Sequence, residues 1–307
     1  MSQSFRIKVP ASTSNLGSGF DTLGLALELH NEVEVQLKGK KLELDIVGEG
    51  GQDLPRGSKN LFIQALDLYF KHVGKSRPKG LRITMNNHIP LARGLGSSGA
   101  TIISGLLAAK KISRKAISDQ EIVSLALKLE EHPDNLVPAL IGGLSISVIH
   151  EGRVIYMGLP VPLGLSAVII IPEFKLSTKR ARAILPKTVA FSDAVFNLSR
   201  ASLLTASLIA GRYDLLNIAV QDKLHQRYRF NLSSPMKKIF DLASSVGGCG
   251  TFMSGAGPSI LTFVNHHEPA QDVVIRLAEH LKKNKLEVQV KTLPISRQGA
   301  LIEDIEG

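Results

Sequence analysis

PLARGLGSSGATIISGLLAA, from Pro90 to Ala109, places three glycines and two serines before a long apolar segment with helical character. Glycine lets the backbone approach a ligand closely, and the first turn of a helix presents free N–H groups and a partial positive charge. The amides from Ser97 to Ala100 are therefore suited to hold a polyphosphate without a lysine. A flexible loop that ends in a serine N-cap has the same composition, so the stretch alone leaves both interpretations open.

Two other nucleotide-binding motifs resemble parts of the sequence but do not fit it. GLGSSG, Gly94 to Gly99, matches the pattern G-x-G-x-x-G, with Asp119 at about the distance of a ribose-binding acid. In the dinucleotide fold the first glycine directly follows a strand, whereas here NNHIPLAR intervenes. The string VGKS, Val73 to Ser76, lacks the glycine of a P-loop, since Tyr69 stands in its place. Neither motif is predicted.

The composition indicates a soluble globular protein. The chain has 307 residues, of which 44% are hydrophobic, and this length favours two domains. The longest aliphatic run, from Ala167 to Ile171, is far shorter than the ~20 residues of a membrane span, and MSQSFRIKVP has no secretory character. Cys249 is the only cysteine, which excludes an intrachain disulfide. We expect a cytoplasmic protein without a membrane partner.

The charge is strongly basic but scattered. The 37 Lys and Arg residues outnumber the 27 Asp and Glu residues by ten, and they occur in separate short groups such as KGKK and HLKKNK. There is no tryptophan, and aromatic residues make up 5% of the chain, so the sequence offers no stacking platform for RNA. Most of these charges are expected to be solvated, and no nucleic-acid partner is expected.

The apolar periodicity in the first half predicts strands followed by helices. Apolar and polar residues alternate over three stretches, Phe5 to Val9, Val33 to Leu37 and Leu42 to Ile46. KGKK is the predicted turn between the last two. Helical spacing follows from Ser58 to Val73, LRITM predicts a short strand, and the apolar part of the opening stretch predicts the next helix. Ser118 and Glu121 have the spacing of a capping box, which predicts a further helix start.

The second half has a different order of elements. From about residue 164 the pattern reads strand, long helices, two strands, helix and strand, which is a β-α-β-β-α-β ferredoxin-like unit with extra helix. We therefore expect an α+β protein with two domains, residues 1–163 and 164–307.

Three strings, spread over most of the chain, resemble the signature motifs of the GHMP small-molecule kinases. They are KVPASTSNLGSGFDTLGLAL near the beginning, PLARGLGSSGA in the middle and SGAGPS near the end. The resemblance implies an N-terminal domain like ribosomal protein S5 domain 2, a C-terminal ferredoxin-like domain, and an ATP site in the cleft between them.

Within this family, ASTSNLGSGFDTLG, EEHPDNLVPALIGG and DKLHQRYR are most similar to the members that act on an amino acid. These members use ATP to phosphorylate the side-chain hydroxyl of L-homoserine, giving O-phospho-L-homoserine for threonine biosynthesis. The resemblance thus implies this activity, with ATP and Mg²⁺ required and a homodimer possible. Another GHMP kinase, acting on mevalonate or a sugar-like alcohol, is the alternative, and a basic nucleic-acid-binding protein is the alternative from a different class.

The resemblance also assigns the ATP and metal sites to numbered residues. The residues matched to ATP phosphate binding are Pro90, Leu91, Ala92, Arg93, Gly94, Leu95, Gly96, Ser97, Ser98, Gly99 and Ala100. The C-terminal glycine loop, expected on the opposite side, consists of Ser254, Gly255, Ala256 and Gly257. Ser98 and Glu130 match the metal ligands. Glu131 stands where relatives commonly have glycine, which leaves open which of the two acids binds the metal.

The remaining matches concern the substrate and the reaction. The resemblance places Arg182 and Arg229 on the substrate carboxylate and Asp21 on its ammonium group. Asn15 and Asn135 are expected near the reacting hydroxyl. His132 and Asp134 lie beside Asn135 in the same loop, and His132 is expected to orient the substrate. Asp134 matches the candidate acid–base residue, but the nucleotide phosphate itself is an alternative proton acceptor. Arg227 replaces a proline common in relatives, so it either competes with Arg229 or points into solvent.

Overall fold

The computed structural model describes residues 4–305, so the ends of both expected domains, residues 1–3 and 306–307, lie outside the described residues. The first domain is built on a mixed sheet. Its first six strands are β1 (Ser4–Ser14), β2 (Leu23–Gln36), β3 (Leu42–Gly48), β4 (Leu81–Asn87), β5 (Leu144–His150) and β6 (Arg153–Leu159). Phe5, Ile7 and Val9 in β1 are fully buried, as their alternation predicts.

The strand order differs from the simple hairpin that KGKK suggests. β4 lies between β2 and β3, antiparallel to β2 and parallel to β3. The lysine-rich segment is therefore a connection and not a hairpin turn. Leu44 and Ile46 pair with Ile83 and Met85, and all four are buried, so pairing with β4 gives β3 an apolar neighbour on the core face of the sheet.

Four helices complete the first domain: α1 (Leu61–His72), α2 (Ser97–Ser113), α3 (Asp119–Ala126) and α4 (Leu136–Ile141). Helix α2 is buried on nearly all sides and packs closely on α1, where a Cβ at Gly105 would lie 2.4 Å from the Phe62 carbonyl oxygen. The predicted capping box at Ser118 and Glu121 is present at the start of α3. Among residues 4–305, no helix has both the length and the apolar character that a bilayer crossing needs.

The second domain has a four-stranded antiparallel sheet. Its strands are β7 (Leu165–Pro172), β8 (Gly250–Met253), β9 (Ile260–Asn265) and β10 (Val288–Leu293), in the spatial order β10-β7-β9-β8. Its helices are α5 (Thr178–Ala183), α6 (Phe191–Ala210), α7 (Leu216–Ala219), α8 (Gln226–Phe230), α9 (Ser234–Val246) and α10 (Ala270–Lys283). With one helical connection before β8 and another after β9, this arrangement confirms the expected ferredoxin-like unit.

The last strand corrects the expected domain boundary. β11 (Leu301–Asp304) does not join the second sheet but pairs antiparallel with β1 at the edge of the first. The division at residues 163 and 164 therefore does not hold for the end of the chain. Leu301 and Ile302 gave no strong periodic signal because the strand has four residues and none of them is fully buried.

Candidate active site

A cleft of about 360 Å³ lies where the two domains meet. It is lined by residues from seven separate parts of the sequence, including the segment from Pro90 to Ser98, Glu130 to Asn135 and the C-terminal glycine loop. The cleft is also lined by the expected substrate residues Asn15, Asp21, Arg182 and Arg229. His132 and Asp134 line it from the segment Glu130 to Asn135. The structure thus brings together segments that are up to 240 residues apart in sequence.

The phosphate loop, Gly94 to Ala100, runs into the first turn of α2. Gly96 is the N-cap residue, and its backbone is left-handed with φ of 70°. Since glycine has no side chain to cap the helix, the first amides of α2 have no acceptor from the cap residue, and they lie at the positive end of a helix of 17 residues. This arrangement can bind an anionic ligand through backbone groups.

The C-terminal glycine loop holds the phosphate loop in place. Ser254 Oγ donates a hydrogen bond to the Gly94 carbonyl oxygen at 2.7 Å, and a Cβ on Gly94 would lie 2.1 Å from the Ser254 carbonyl oxygen. Arg93 Nε donates to the Pro172 carbonyl oxygen at 2.7 Å, and its Nη2 donates to the Glu173 carbonyl oxygen. Arg93 therefore ties the loop to the second domain, and its guanidinium is not free for phosphate.

Ser98 and Glu130 face each other at the phosphate end of the cleft. Ser98 Oγ donates to Glu130 Oε2 at 2.9 Å, and both residues line the cleft. Glu131 is exposed and is not among the lining residues. Within residues 4–305, no group of three or more His, Cys, Asp or Glu side chains could hold a metal. A pair of oxygen ligands suits a cation that takes most of its ligands from phosphate and water.

The opposite part of the cleft, the charged end, contains Asp21, His132, Arg182 and Arg229. Arg182 Nη2 lies 2.6 Å from Asp21 Oδ1, and His132 Nε2 lies 3.7 Å from Asp21 Oδ2. Burial lowers the pKa of His132 below its usual value, so its ring is neutral at neutral pH. Arg182 Nε is buried and has no acceptor among residues 4–305. The guanidinium of Arg182 therefore has donor capacity that Asp21 does not use.

Arg229 is the largest fully buried side chain of the described chain, with 1% of its surface exposed. Its Nε donates to the Ala181 carbonyl oxygen at 3.2 Å, and its Nη1 donates to the Gly255 carbonyl oxygen at 3.0 Å. Burial, with Arg182 as the nearest like charge, lowers its pKa to about 10, so it remains charged at neutral pH. A charge that is buried and bonded mainly to neutral acceptors favours an anionic ligand in the cleft.

A polar network surrounds Asn135 and Asp134, which also line the cleft. Asn135 Nδ2 donates to Ser14 Oγ at 2.9 Å, and Asn135 Oδ1 accepts from Ser12 Oγ at 2.9 Å. Asp134 beside it is fully buried, which raises the pKa of its carboxyl group to about 7, and the negative charge of Asp21 adds to this effect. A carboxyl group with this pKa can exchange a proton near neutral pH.

Asn15 fixes the approach of the first motif to the cleft. Its Nδ2 donates to the Gly255 carbonyl oxygen at 2.9 Å, and its Oδ1 accepts from the Asp21 backbone amide at 2.9 Å. Asn15 and Asp21 both have left-handed backbones, with φ of 68° and 55°. Such conformations, rare outside glycine, aim the Asp21 side chain at the charged end.

Arg227 does not compete with Arg229. Its Nη2 lies 2.6 Å from Asp193 Oδ2 and 2.7 Å from the Tyr228 hydroxyl, at the protein surface. The ion pair with Asp193 connects α8 to the first turn of α6. The substitution of the common proline therefore leaves the cleft lining unchanged.

The sequence interpretation missed the apolar part of the cleft. It lies beyond the phosphate loop and is lined by Leu54, Pro55, Leu61, Met85 and the stems of neighbouring polar residues. These residues come from the loop before α1, the start of α1 and β4, and no short motif contains them. The one residue whose type could have indicated this part of the cleft was Asn60, which favours a helix start. Its side chain caps α1 by accepting from the Phe62 amide.

Comparison with known proteins agrees with this geometry. Residues 60–143 match the family model of the GHMP kinases N terminal domain, and residues 204–283 match that of the GHMP kinases C terminal domain. The chain is 43% identical to the homoserine kinase of Caldicellulosiruptor saccharolyticus over 302 residues, which cover 98% of this chain and 97% of that one.

Solved structures give the same result. The homoserine kinase of Cytophaga hutchinsonii superposes with a TM-score of 0.88 at 28% identity, over 97% of both chains. A mevalonate kinase shares the fold, with a TM-score of 0.68 at 16% identity over 95% of this chain and 99% of that one. The motifs, the two-domain fold and these full-length relatives all agree, and the chain belongs to the GHMP family of small-molecule kinases.

Proposed function

We propose that the protein transfers the γ-phosphoryl group of ATP to the side-chain hydroxyl of L-homoserine, giving O-phospho-L-homoserine and ADP. The charged end of the cleft carries this proposal. It offers two guanidinium groups, Arg182 and Arg229, beside one carboxylate, Asp21. Homoserine is a zwitterion, and it presents the complementary charges, a carboxylate and an ammonium group, on the same carbon atom.

The ion pair between Arg182 and Asp21 supports a zwitterionic substrate over a neutral alcohol. At 2.6 Å the two side chains lie as close as the carboxylate and ammonium groups of an α-amino acid. A bound amino acid places its carboxylate on Arg182 and Arg229 and its ammonium group on Asp21, so each charge keeps an opposite partner. Sugar-like alcohols and mevalonate carry no ammonium group for Asp21.

ATP binds along the other part of the cleft. The phosphates lie on the amides at the start of α2, and the base occupies the apolar part near Leu54 and Leu61. Ser98 and Glu130 supply hard oxygen ligands that fit Mg²⁺. When bound, Mg²⁺ neutralises negative charge on the β- and γ-phosphates.

The polar network orients the hydroxyl and accepts its proton. The homoserine oxygen forms a bond to the γ-phosphorus while the bond from that phosphorus to the β,γ-bridging oxygen breaks, and ADP leaves. Asp134, with its pKa raised to about 7, takes the hydroxyl proton. Asn135 holds the hydroxyl groups of Ser12 and Ser14 beside it, and Asn15 holds the backbone at Gly255 and Asp21 in place. Positioning and charge stabilisation account for most of the rate in such a transfer.

The test is ADP release from ATP and Mg²⁺ with L-homoserine, L-threonine, mevalonate or galactose. We expect a high kcat/KM for homoserine and low values for the other compounds. The net charge of +10 is the basis of the alternative, a nucleic-acid-binding protein. A parallel titration with DNA at several salt concentrations tests it. Tight salt-sensitive DNA binding without ADP release, or a preference for mevalonate or galactose, would overturn the proposal.

A further inference from the structure

We propose that His225, which does not line the cleft, is a positioning residue that fixes the guanidinium of Arg229 for the substrate carboxylate. His225 is fully buried at the start of α8, four residues before Arg229. Its Nδ1 lies 3.1 Å from Arg229 Nη1, and its Nε2 lies 2.8 Å from the Gly17 carbonyl oxygen. The imidazole thus connects the first sequence motif to the buried arginine.

The two contacts determine the protonation state of the ring. A carbonyl oxygen can only accept, so the contact with Gly17 requires a hydrogen on Nε2. Arg229 can only donate, so the contact at Nδ1 requires a lone pair there. The neutral Nε2–H tautomer satisfies both contacts. In the Nδ1–H tautomer, two donors would face each other at Nδ1 and two acceptors at Nε2. The doubly protonated ring would place a second positive charge beside Arg229.

The surroundings support the neutral form. Complete burial lowers the pKa of His225 well below its usual value, and the positive charge of Arg229 acts in the same direction. Asp222 is the nearest carboxylate, with Oδ2 3.8 Å from His225 Nε2. Asp222 Oδ2 already accepts from the backbone amides of His225 and Gln226, at 2.9 and 2.7 Å.

Packing leaves the imidazole a single orientation. The ring of Phe20 stacks on it with centroids 4.9 Å apart, and the guanidinium carbons of Arg182 and Arg229 lie 5.3 and 5.4 Å from the centre of the same phenyl ring. Gly17 is equally fixed, because a Cβ there would lie 2.0 Å from the Val220 carbonyl oxygen. A rigid acceptor therefore holds Nη1 of Arg229, so that the guanidinium is oriented before a ligand arrives.

This inference rests on the homoserine kinase activity proposed above, and three variants test it. His225→Phe keeps an aromatic ring on Phe20 but removes the acceptor for Arg229. His225→Gln has no ring but retains a carbonyl oxygen and an amide donor. Thr262→Val is the matched control, because it removes a buried hydrogen bond, 2.9 Å to Thr251 Oγ1, in the same domain and away from the cleft.

We expect His225→Phe to raise the KM for homoserine at least about tenfold, with a smaller change in kcat and an unchanged KM for ATP. His225→Gln should recover a large part of this loss, and Thr262→Val should leave both KM values unchanged. Nitrogen-15 NMR of the imidazole in the unliganded wild type should show the Nε2–H tautomer at neutral pH.

The opposing results are equally specific. Equal increases in the KM for ATP and homoserine, or equal losses in the Phe and Gln variants, would assign His225 a general structural role and overturn the inference. An Nδ1–H or doubly protonated ring in the NMR spectrum would overturn it as well. Wild-type activity on homoserine is measured first: its absence removes the proposed function and this inference together, whereas activity with an unchanged KM in His225→Phe removes this inference alone.

Discussion

The two ends of the cleft are built from different parts of the polypeptide. In the function proposed above, the backbone provides the binding groups at the phosphate end, namely the amides at the start of α2 that follow Gly94 and Gly96. At the charged end, side chains provide them, and each is held by a second group, as Asp21 is by Arg182. The backbone site is contained in one short stretch, whereas the side-chain site requires the whole fold. Substitutions should therefore affect the two ends in different ways.

The largest effect is expected at the charged end. Arg229→Leu removes the buried charge that we propose contacts the substrate carboxylate, and such a loss typically costs about 2–5 kcal/mol, or about 30- to 5,000-fold in kcat/KM for homoserine. The already low value for 3-aminopropanol, which lacks the carboxylate, should change much less. Both values are measured by ADP release, with circular dichroism as the control for folding. A surviving preference for homoserine in both Arg229→Leu and Arg182→Leu would place the carboxylate elsewhere.

Asp134, between the two ends, should produce the next largest effect. Asp134→Asn removes the proton acceptor, and we expect kcat to fall about 100-fold or more. Only the deprotonated carboxyl accepts a proton, so kcat/KM of the wild type should rise with pH up to about 7. The Asn variant should lose this dependence. If its profile keeps the same limb, another group, or the nucleotide phosphate, accepts the proton.

Asp134→Asn should lower activity but raise stability relative to the wild type as the pH increases. Because the pKa of Asp134 is raised to about 7 in the folded state, the stability from its bound proton is present below the unfolded pKa and is lost as pH rises through about 7. The free energy of unfolding of Asp134→Asn should therefore increase relative to the wild type between pH 5 and 8, by up to about 2–3 kcal/mol. Urea unfolding at both pH values measures this difference.

The proposed metal ligand Glu130 gives the sharpest test of the phosphate end. Glu130→Gln should lower kcat about 10- to 100-fold and raise the Mg²⁺ concentration required for half-maximal rate, because it removes the charged oxygen beside Ser98. Glu131→Gln is the matched control, since Glu131 is exposed and outside the cleft. A larger effect at Glu131 would reverse the assignment of the two acids.

At the phosphate end the binding groups belong to the backbone, so a substitution can disrupt them only by adding side-chain atoms that clash. Gly96→Ala places a Cβ 2.0 Å from Ser12 Oγ on a backbone with φ of 70°, so we expect a loss of about 1–3 kcal/mol of stability together with weaker ATP binding. Calorimetry gives the affinity, and thermal unfolding gives the stability. Normal stability combined with normal ATP affinity would show that the loop is not held as rigidly as its contacts indicate.

The smallest effect is expected at the surface. Arg227→Ala removes an exposed ion pair with Asp193 and should change stability by less than about 1 kcal/mol. The KM for homoserine should remain within about twofold of the wild-type value, measured in the same ADP assay. A large rise in this KM would mean that Arg227 takes part in substrate binding, contrary to its contacts.

The comparison also explains how much the sequence alone can predict. The capping box depends on neighbouring residues, so its local pattern was sufficient. The stretch from Gly94 to Ala100 predicted a turn into a helix, but by itself it left a flexible loop and a phosphate-binding loop both open. Ser98 and Glu130 are 32 residues apart, and a resemblance to known kinases was needed to pair them. His225 lies within the string DKLHQRYR, but its proposed role did not follow from the sequence, because Gly17, Phe20 and Arg229 meet it only in the folded chain. The short strand β11 was missed for a similar reason, since its pairing with β1 spans almost the whole sequence.

The return of β11 to the first sheet has a consequence for the order of synthesis. The second sheet is complete after β10, but the edge of β1 has no strand beside it until Leu301–Asp304 has left the ribosome. During translation the backbone N–H and C=O groups along that edge are therefore open to pairing with other chains. Docking of β11 onto β1 therefore protects this edge, and a chain in which β11 is unpaired has a greater risk of aggregation.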